Sequence, residues 1–289
     1  LPGAIIKDVR DAIAQGQFER GEALIAEYRK ASGITPEMLE ALSWLGRGAL
    51  AKKQYDQAER YARETYQLCV AELRKRPLDQ EKNLPIALGA SIEVQAQVMA
   101  GRGARDQGVE YLKSELKKFY ATSIRTRLQK NVHLLDLEGK PAPPLETKPY
   151  LGAAPPALAA LRGKPVVLLF WAHWCGDCKY QAPLLAKLRA EFAPSGLTVL
   201  GPTQHYGYVA RGEEAAPDVE TKYIDEVRKS AYGALEGMPV PLSEENFRSW
   251  GASTTPTLVF IDRQGKVVEY HPGKMTEAEL RASLEKIVR

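Results

Sequence analysis

Residues 166–179 constrain the fold of this chain more than any other stretch. Val166-Val167-Leu168-Leu169-Phe170 is an unbroken apolar run of strand length. It leads straight into Trp171-Ala172-His173-Trp174-Cys175-Gly176-Asp177-Cys178-Lys179, with Pro183 following inside a helical pattern. Two cysteines three apart at a helix start lie about one turn apart, with roughly 5–6 Å between neighbouring side chains. A disulfide accepts that spacing. The ring so closed is too small to restrain much unfolded chain, so it adds little stability through loop closure. Its use is to be made and broken.

The run Trp171-Ala172-x-Trp174-Cys175-Gly176-x-Cys178-Lys179 resembles the thioredoxin active site. The resemblance implies a cysteine at a helix N-terminus, where unpaired amide N–H groups and the helix dipole favour an anion. Cys175 is then the attacking thiolate, with a lowered pKa, and Cys178 the shielded thiol that closes the disulfide and expels the substrate. Gly176 and Asp177 fill the two places between them. Thioredoxins generally carry Pro where Asp177 stands. A carboxylate there opposes the dipole by like-charge repulsion, with Lys179 and His173 acting the other way.

Other chemistries fit the cysteines less well. A structural zinc site needs four ligands, and no second Cys-x-x-Cys exists; Cys69 lies on a distant helical segment and reads as a buried small apolar residue. A peroxide-reducing cysteine of the peroxiredoxin kind asks for Pro-x-x-x-Thr/Ser-x-x-Cys. Counting back from Cys175 gives Ala172 and Leu168, and from Cys178 gives Cys175 and Trp171. Neither metal nor cofactor is expected.

A second feature supports the same fold. Ser253-Thr254-Thr255-Pro256 followed by Thr257–Ile261 and Gly265 reads as a loop, a strand and a turn. In thioredoxin-fold proteins the strand facing the Cys-x-x-Cys begins with a cis-proline. Pro256 matches it, and Thr255 matches the residue common before it in the TlpA/ResA-like branch. The resemblance implies that this pair exposes backbone for an extended substrate and that Trp174 covers the disulfide. It covers about residues 134–289, from Gly139-Lys140-Pro141-Ala142-Pro143 through Leu158–Pro165 to the end. Strands are expected at Leu197–Gly201, Pro256–Ile261 and Val267–Tyr270, and helices at Val219–Ala234 and Glu277–Val288. Together they make an α/β thioredoxin fold, a central mixed sheet flanked by helices. Two acids of the family are missing. Leu169 stands where thioredoxin buries Asp, and Gln181 where ResA-like proteins often place Glu. His205, at a strand end, is the candidate proton relay, with His173 and Tyr206 as alternatives.

The first 120 residues are a different material, rich in Ala, Glu, Lys, Arg and Gln with helical periodicity. Helices are expected at Ala4–Gln15, Phe18–Ala31, Pro36–Lys52, Tyr55–Lys75, Leu84–Ala100 and Ala104–Phe119. Leu42, Leu45, Gly46, Tyr55, Ala58 and Tyr61 follow the spacing of a tetratricopeptide-type hairpin, and residues 16–21 and 106–111 look like degenerate copies of its turn. A plain antiparallel bundle fits as well. The domain plan is 1–120 all-α and helical-hairpin-like, 121–135 a connector, and 136–289 thioredoxin-like.

The resemblance implies a thiol–disulfide oxidoreductase acting on protein thiols and disulfides, with a protein electron donor or acceptor. A helical-repeat adaptor whose second domain only binds is the alternative, followed by a redoxin-type peroxidase. A protein partner is expected on the helical domain. A net charge of +4 with mixed signs is a solvated surface. Tyr206 and Tyr208 near Arg211 are too few for a nucleic-acid stripe, and no apolar run reaches the length of a membrane span. The first residue is Leu1 rather than Met, as expected where a leader has been trimmed; with the TlpA/ResA resemblance this suggests an extracytoplasmic, periplasmic location.

Overall fold

In the computed structural model, which describes residues 4–289, the helical periodicity of the N-terminal half becomes seven helices among the described residues. They are α1 (Ala4–Ala14), α2 (Phe18–Ser32), α3 (Pro36–Ala51), α4 (Tyr55–Glu72), α5 (Asn83–Gly101), α6 (Arg105–Lys118) and α7 (Arg125–Asp136). Leu1, where a trimmed leader was inferred, lies outside the described residues. Thr35 starts α3 as the sequence suggests: its hydroxyl accepts the Met38 N–H at 3.3 Å, and Pro36 occupies the first helical position. From α1 to α6 each helix packs on the next, with α1 also on α3 and α3 on α5. The inner helices α3 and α5 bury residues on several sides, among them Leu39, Leu42, Leu45, Leu84, Leu88 and Ile92. Where α6 crosses α5 only glycine fits, because a Cβ on Gly108 would lie 2.9 Å from the Ala96 carbonyl oxygen.

The chain divides at Leu135/Asp136. Residues 121–135, expected as a connector, are mostly α7 instead. Leu128, Asn131, Val132 and Leu135 are buried, and Leu128, Val132 and Leu135 join the apolar core of the first unit. Their i, i+4, i+7 spacing is a helical stripe that the prolines beginning at Pro141 outweighed in the sequence reading.

In the second unit the apolar run becomes β2 (Val166–Phe170), buried at all five residues, after the short β1 (Tyr150–Leu151). Then follow α8 (Gly176–Glu191), β3 (Thr198–Leu200), α9 (Pro217–Ala231), β4 (Val240–Pro241), α10 (Glu244–Trp250), β5 (Thr257–Ile261), β6 (Val267–Pro272) and α11 (Glu277–Val288). The main sheet has the order β3-β2-β5-β6, with β2 parallel to β3 and antiparallel to β5, which is antiparallel to β6.

The period of two along β2 sorts its side chains between two cores. Val167 and Leu169 pack with Leu185 and Leu188 of α8, Ile224 of α9 and Leu280 and Leu284 of α11. Val166, Leu168 and Phe170 face the other way, onto Phe247 and Trp250 of α10 and onto Leu137, Leu145 and Leu161 from the proline-rich lead-in. That lead-in is stitched to the sheet: the Gly139 N–H donates to the Val267 carbonyl at 2.8 Å, and the Val267 N–H donates to Lys140 at 2.9 Å. The pair β1–β4 and the helix α10 were not foreseen. Ser243 caps α10 by accepting the Asn246 N–H at 3.2 Å.

Candidate active site

Cys175 is the N-cap of α8, with extended backbone, and its sulfur accepts the Cys178 N–H at 3.0 Å. The two cysteines form a disulfide across a Cα–Cα distance of 5.3 Å. Cys178 is wholly enclosed, whereas Cys175 keeps 3% of its surface exposed, so Cys175 is the sulfur nearer solvent. Pro183 has no N–H to offer the Lys179 carbonyl, so one rung of the α8 ladder is missing one turn beyond the bridge. Trp174 is half exposed and meets the ring of Tyr206 edge-on at 5.5 Å. Just upstream, Trp171 is buried: its indole N–H donates to the Gly201 carbonyl at 2.8 Å, and its carbonyl accepts the Thr203 hydroxyl. A Cβ on Gly201 would lie 2.4 Å from the terminal methyl of Met238 and 3.2 Å from the Trp171 indole nitrogen, so a larger residue here would have to displace the Met238 side chain.

Register brings the distant pieces together. Phe170 pairs with Thr257 in the antiparallel ladder, so the loop after β2 and the loop before β5 leave the sheet at the same end. The Thr255–Pro256 peptide bond is cis, as the resemblance implies; Lys148–Pro149 is a second one, unforeseen. Pro256 is buried, and the Thr255 hydroxyl is buried without a hydrogen-bond partner. The segment Gly273–Met275 ties the pieces together. The Gly273 N–H donates to the Pro256 carbonyl at 2.8 Å, Lys274 pairs with Asp177 at 2.7 Å, and the Met275 N–H donates to the Gln181 amide oxygen at 2.7 Å. Lys274 and Met275 had no local signal in the sequence.

Comparison with known proteins agrees with this geometry. Residues 156–287 match the family model of a thioredoxin-like domain. The second unit is a thioredoxin-like domain. Over 172 residues the chain is 26% identical to the thiol-disulfide oxidoreductase ResA of Bacillus thuringiensis, covering 58% of this chain and 83% of that one. It is 27% identical over 149 residues to the thioredoxin-like protein YneN of Bacillus subtilis, covering 51% and 79%. Among solved structures, a thiol:disulfide interchange protein from Chlorobium tepidum is similar at 22% identity and a TM-score of 0.39, over 53% of this chain and 99% of that one.

Beside the disulfide, the thioredoxin-like domain holds a polar cluster of its own. His173 is buried, with the rings of Tyr206, Tyr208 and Tyr223 edge-on at 5.5, 5.4 and 5.3 Å. Its Nε2 lies 3.3 Å from Glu220 Oε1 but off the line of a hydrogen bond. Burial lowers the His173 pKa below its ordinary value, and the Glu220 carboxylate offsets only part of that. Glu220 is itself buried and accepts the Tyr206 and Gly207 N–H groups at 2.6 and 2.9 Å. The Tyr206 hydroxyl has no hydrogen-bond partner, and burial pushes its pKa up. His205 is engaged by α9. Its Nε2 is 2.7 Å from the Thr221 hydroxyl, which donates to the Pro217 carbonyl, so the imidazole is the donor in this pair. Glu220, 45 residues from the first cysteine, was not found by sequence reasoning, because nothing local marks a carboxylate that folding returns to the loop after β3.

Proposed function

We propose that the thioredoxin-like domain exchanges electron pairs with protein disulfides, with Cys175 as nucleophile and Cys178 as resolving thiol. The observation that carries this reading is the placement of Cys175. A sulfur at the N-cap, already accepting a backbone N–H, is stabilised as a thiolate by the same donor and by the helix dipole once the bridge is reduced. The naming of its relatives as thiol-disulfide oxidoreductases supports it.

In the reducing direction the Cys175 thiolate attacks one sulfur of a substrate disulfide. That S–S bond breaks, a Cys175–substrate disulfide forms, and the second substrate sulfur leaves as a thiolate that takes up a proton. Cys178 then loses its proton and attacks Cys175, restoring the Cys175–Cys178 bridge and releasing the other substrate thiolate. Two electrons have passed to the substrate, and the reverse sequence oxidises a dithiol. Thr255 and Pro256, at the same sheet end, offer backbone to an extended substrate; Trp174 flanks the bridge. With Leu169 and Gln181 in place of the family's acids, the Cys178 proton leaves to solvent or to another group such as the departing substrate thiolate. We place the protein outside the cytoplasm on its likeness to TlpA/ResA-like proteins.

Equilibration in graded thiol/disulfide buffers tests the reading. A reversible two-electron transition is expected between about −270 and −120 mV, the span of known thioredoxin-fold couples. A bridge that shows no such transition overturns it.

A further inference from the structure

The first unit carries a second concentration of chemistry, on its odd-numbered helices. Trp44 of α3 lies under two guanidinium groups, Arg10 of α1 at 4.5 Å and Arg47 of its own helix at 4.3 Å from the ring centroid. Next to them Glu93 of α5 is the common acceptor for Arg127 and Lys130 of α7, at 2.9 and 3.2 Å, and for the Asn131 amide at 3.0 Å. Burial alone disfavours the Glu93 carboxylate, yet Arg127 and Lys130 outweigh it and hold its pKa at about 2. Glu93 is therefore fully engaged. Arg47 interacts with Arg10 and Arg127 as like charges and with Glu93 and Glu40 as opposite ones. Four cations thus face two carboxylates. Two donors in the same place, the Arg47 Nε–H and the Trp44 indole N–H, are shut off from solvent and have no acceptor.

We propose that this face binds an acidic peptide segment, one carboxylate of which accepts from Arg47 Nε and Trp44 Nε1 and offsets the uncancelled positive charge. The cations are strung over α1, α3 and α7 with α5 between. Arg10 and Arg47 share the Trp44 ring while Arg127 and Lys130 share Glu93, so the cations form two groups on separate helices, which a string of several carboxylates covers and one small anion does not. The site is independent of the redox reading.

The test is fluorescence anisotropy of a fluorescein-labelled peptide of about eight residues, alternating Asp and Ser, titrated at low salt with the full chain. An Asn/Ser peptide of the same length is the control. The acidic peptide is expected to bind and the Asn/Ser peptide not to. Arg47→Gln should weaken binding by at least about tenfold, the effect of losing one charged hydrogen bond. Trp44→Phe keeps the ring, deletes the N–H and should weaken it less, and the exposed Arg10→Gln less again. Arg60→Gln, at an exposed arginine paired with Glu22, should change nothing. Circular dichroism checks each fold; should Arg47→Gln not fold, Trp44→Phe and Arg10→Gln carry the test. Equal binding of the two peptides, or unchanged affinity in the folded variants, overturns the proposal. So does complete displacement by inorganic phosphate at the peptide's own concentration, which would mark a small-anion site.

Discussion

Helices α4 and α8 each hold a cysteine out of solvent, and they treat the thiol in opposite ways. Cys69 lies in the interior of α4, where every N–H around it is already bonded within the helix. Burial, and then the Glu72 charge, push its thiol up to about 12. Cys175 stands one residue ahead of α8, where the N–H groups have no helical acceptor and one donates to its sulfur. Both residues are buried in apolar clusters. Burial by itself therefore does not decide whether a cysteine is inert; its position along the helix does.

The largest expected effect separates the two directly. Cys175→Ser should lower disulfide reduction, read by turbidity of reduced insulin, by at least ~10³-fold, whereas Cys69→Ala should leave it intact. An inactive Cys69→Ala protein that still folds would break the comparison. Second comes alkylation of the reduced protein at pH 7. A thiol at about 12 is ionised only to ~10⁻⁵, so peptide mapping should find Cys175 carboxamidomethylated at least ~100-fold faster than Cys69. Equal rates would mean that the N-cap position does nothing for the sulfur.

The third prediction is about pH. Because the folded His173 pKa lies below the ordinary 6.5, the unfolded chain binds the proton more readily. Stability from this group is fully present above pH 6.5 and is lost as pH falls towards the folded value. One proton gives a slope of at most about 1.4 kcal/mol per pH unit. Urea unfolding of the second unit across this window should show the slope, and His173→Gln should flatten it; an unchanged slope in the variant assigns it elsewhere. The smallest effect lies in the first unit, where Thr35→Ala should cost about 1 kcal/mol through loss of the α3 cap, read by the same denaturation.

What could be read from the sequence was what is local. Helices α1 to α6 appear within one residue of the expected bounds, apart from α4, which ends at Glu72 rather than Lys75, because their apolar stripes repeat over three or four turns. The cysteine pair announced itself through neighbouring residues alone. The α7 helix had its stripe at Leu128, Val132 and Leu135, yet proximity to the proline-rich stretch led to its reading as a connector. The Ser243 cap and Gly251 likewise bracket α10 without having been read as a helix. Other features had no local trace. The pairing of Tyr150–Leu151 with Val240–Pro241 joins two-residue strands about 90 positions apart, too short for any period to show. Lys274 on Asp177 and Glu220 beside His173 exist only because the sheet register returns those segments to one end.

Glu220 has a consequence for motion. Its two oxygens hold the amides of Tyr206 and Gly207 from the first turn of α9, so no hinge can open between this loop and that helix while the carboxylate stays in place. The loop and α9 should therefore breathe as one cooperative block, and those two amides should exchange with deuterium only when the helix itself lifts.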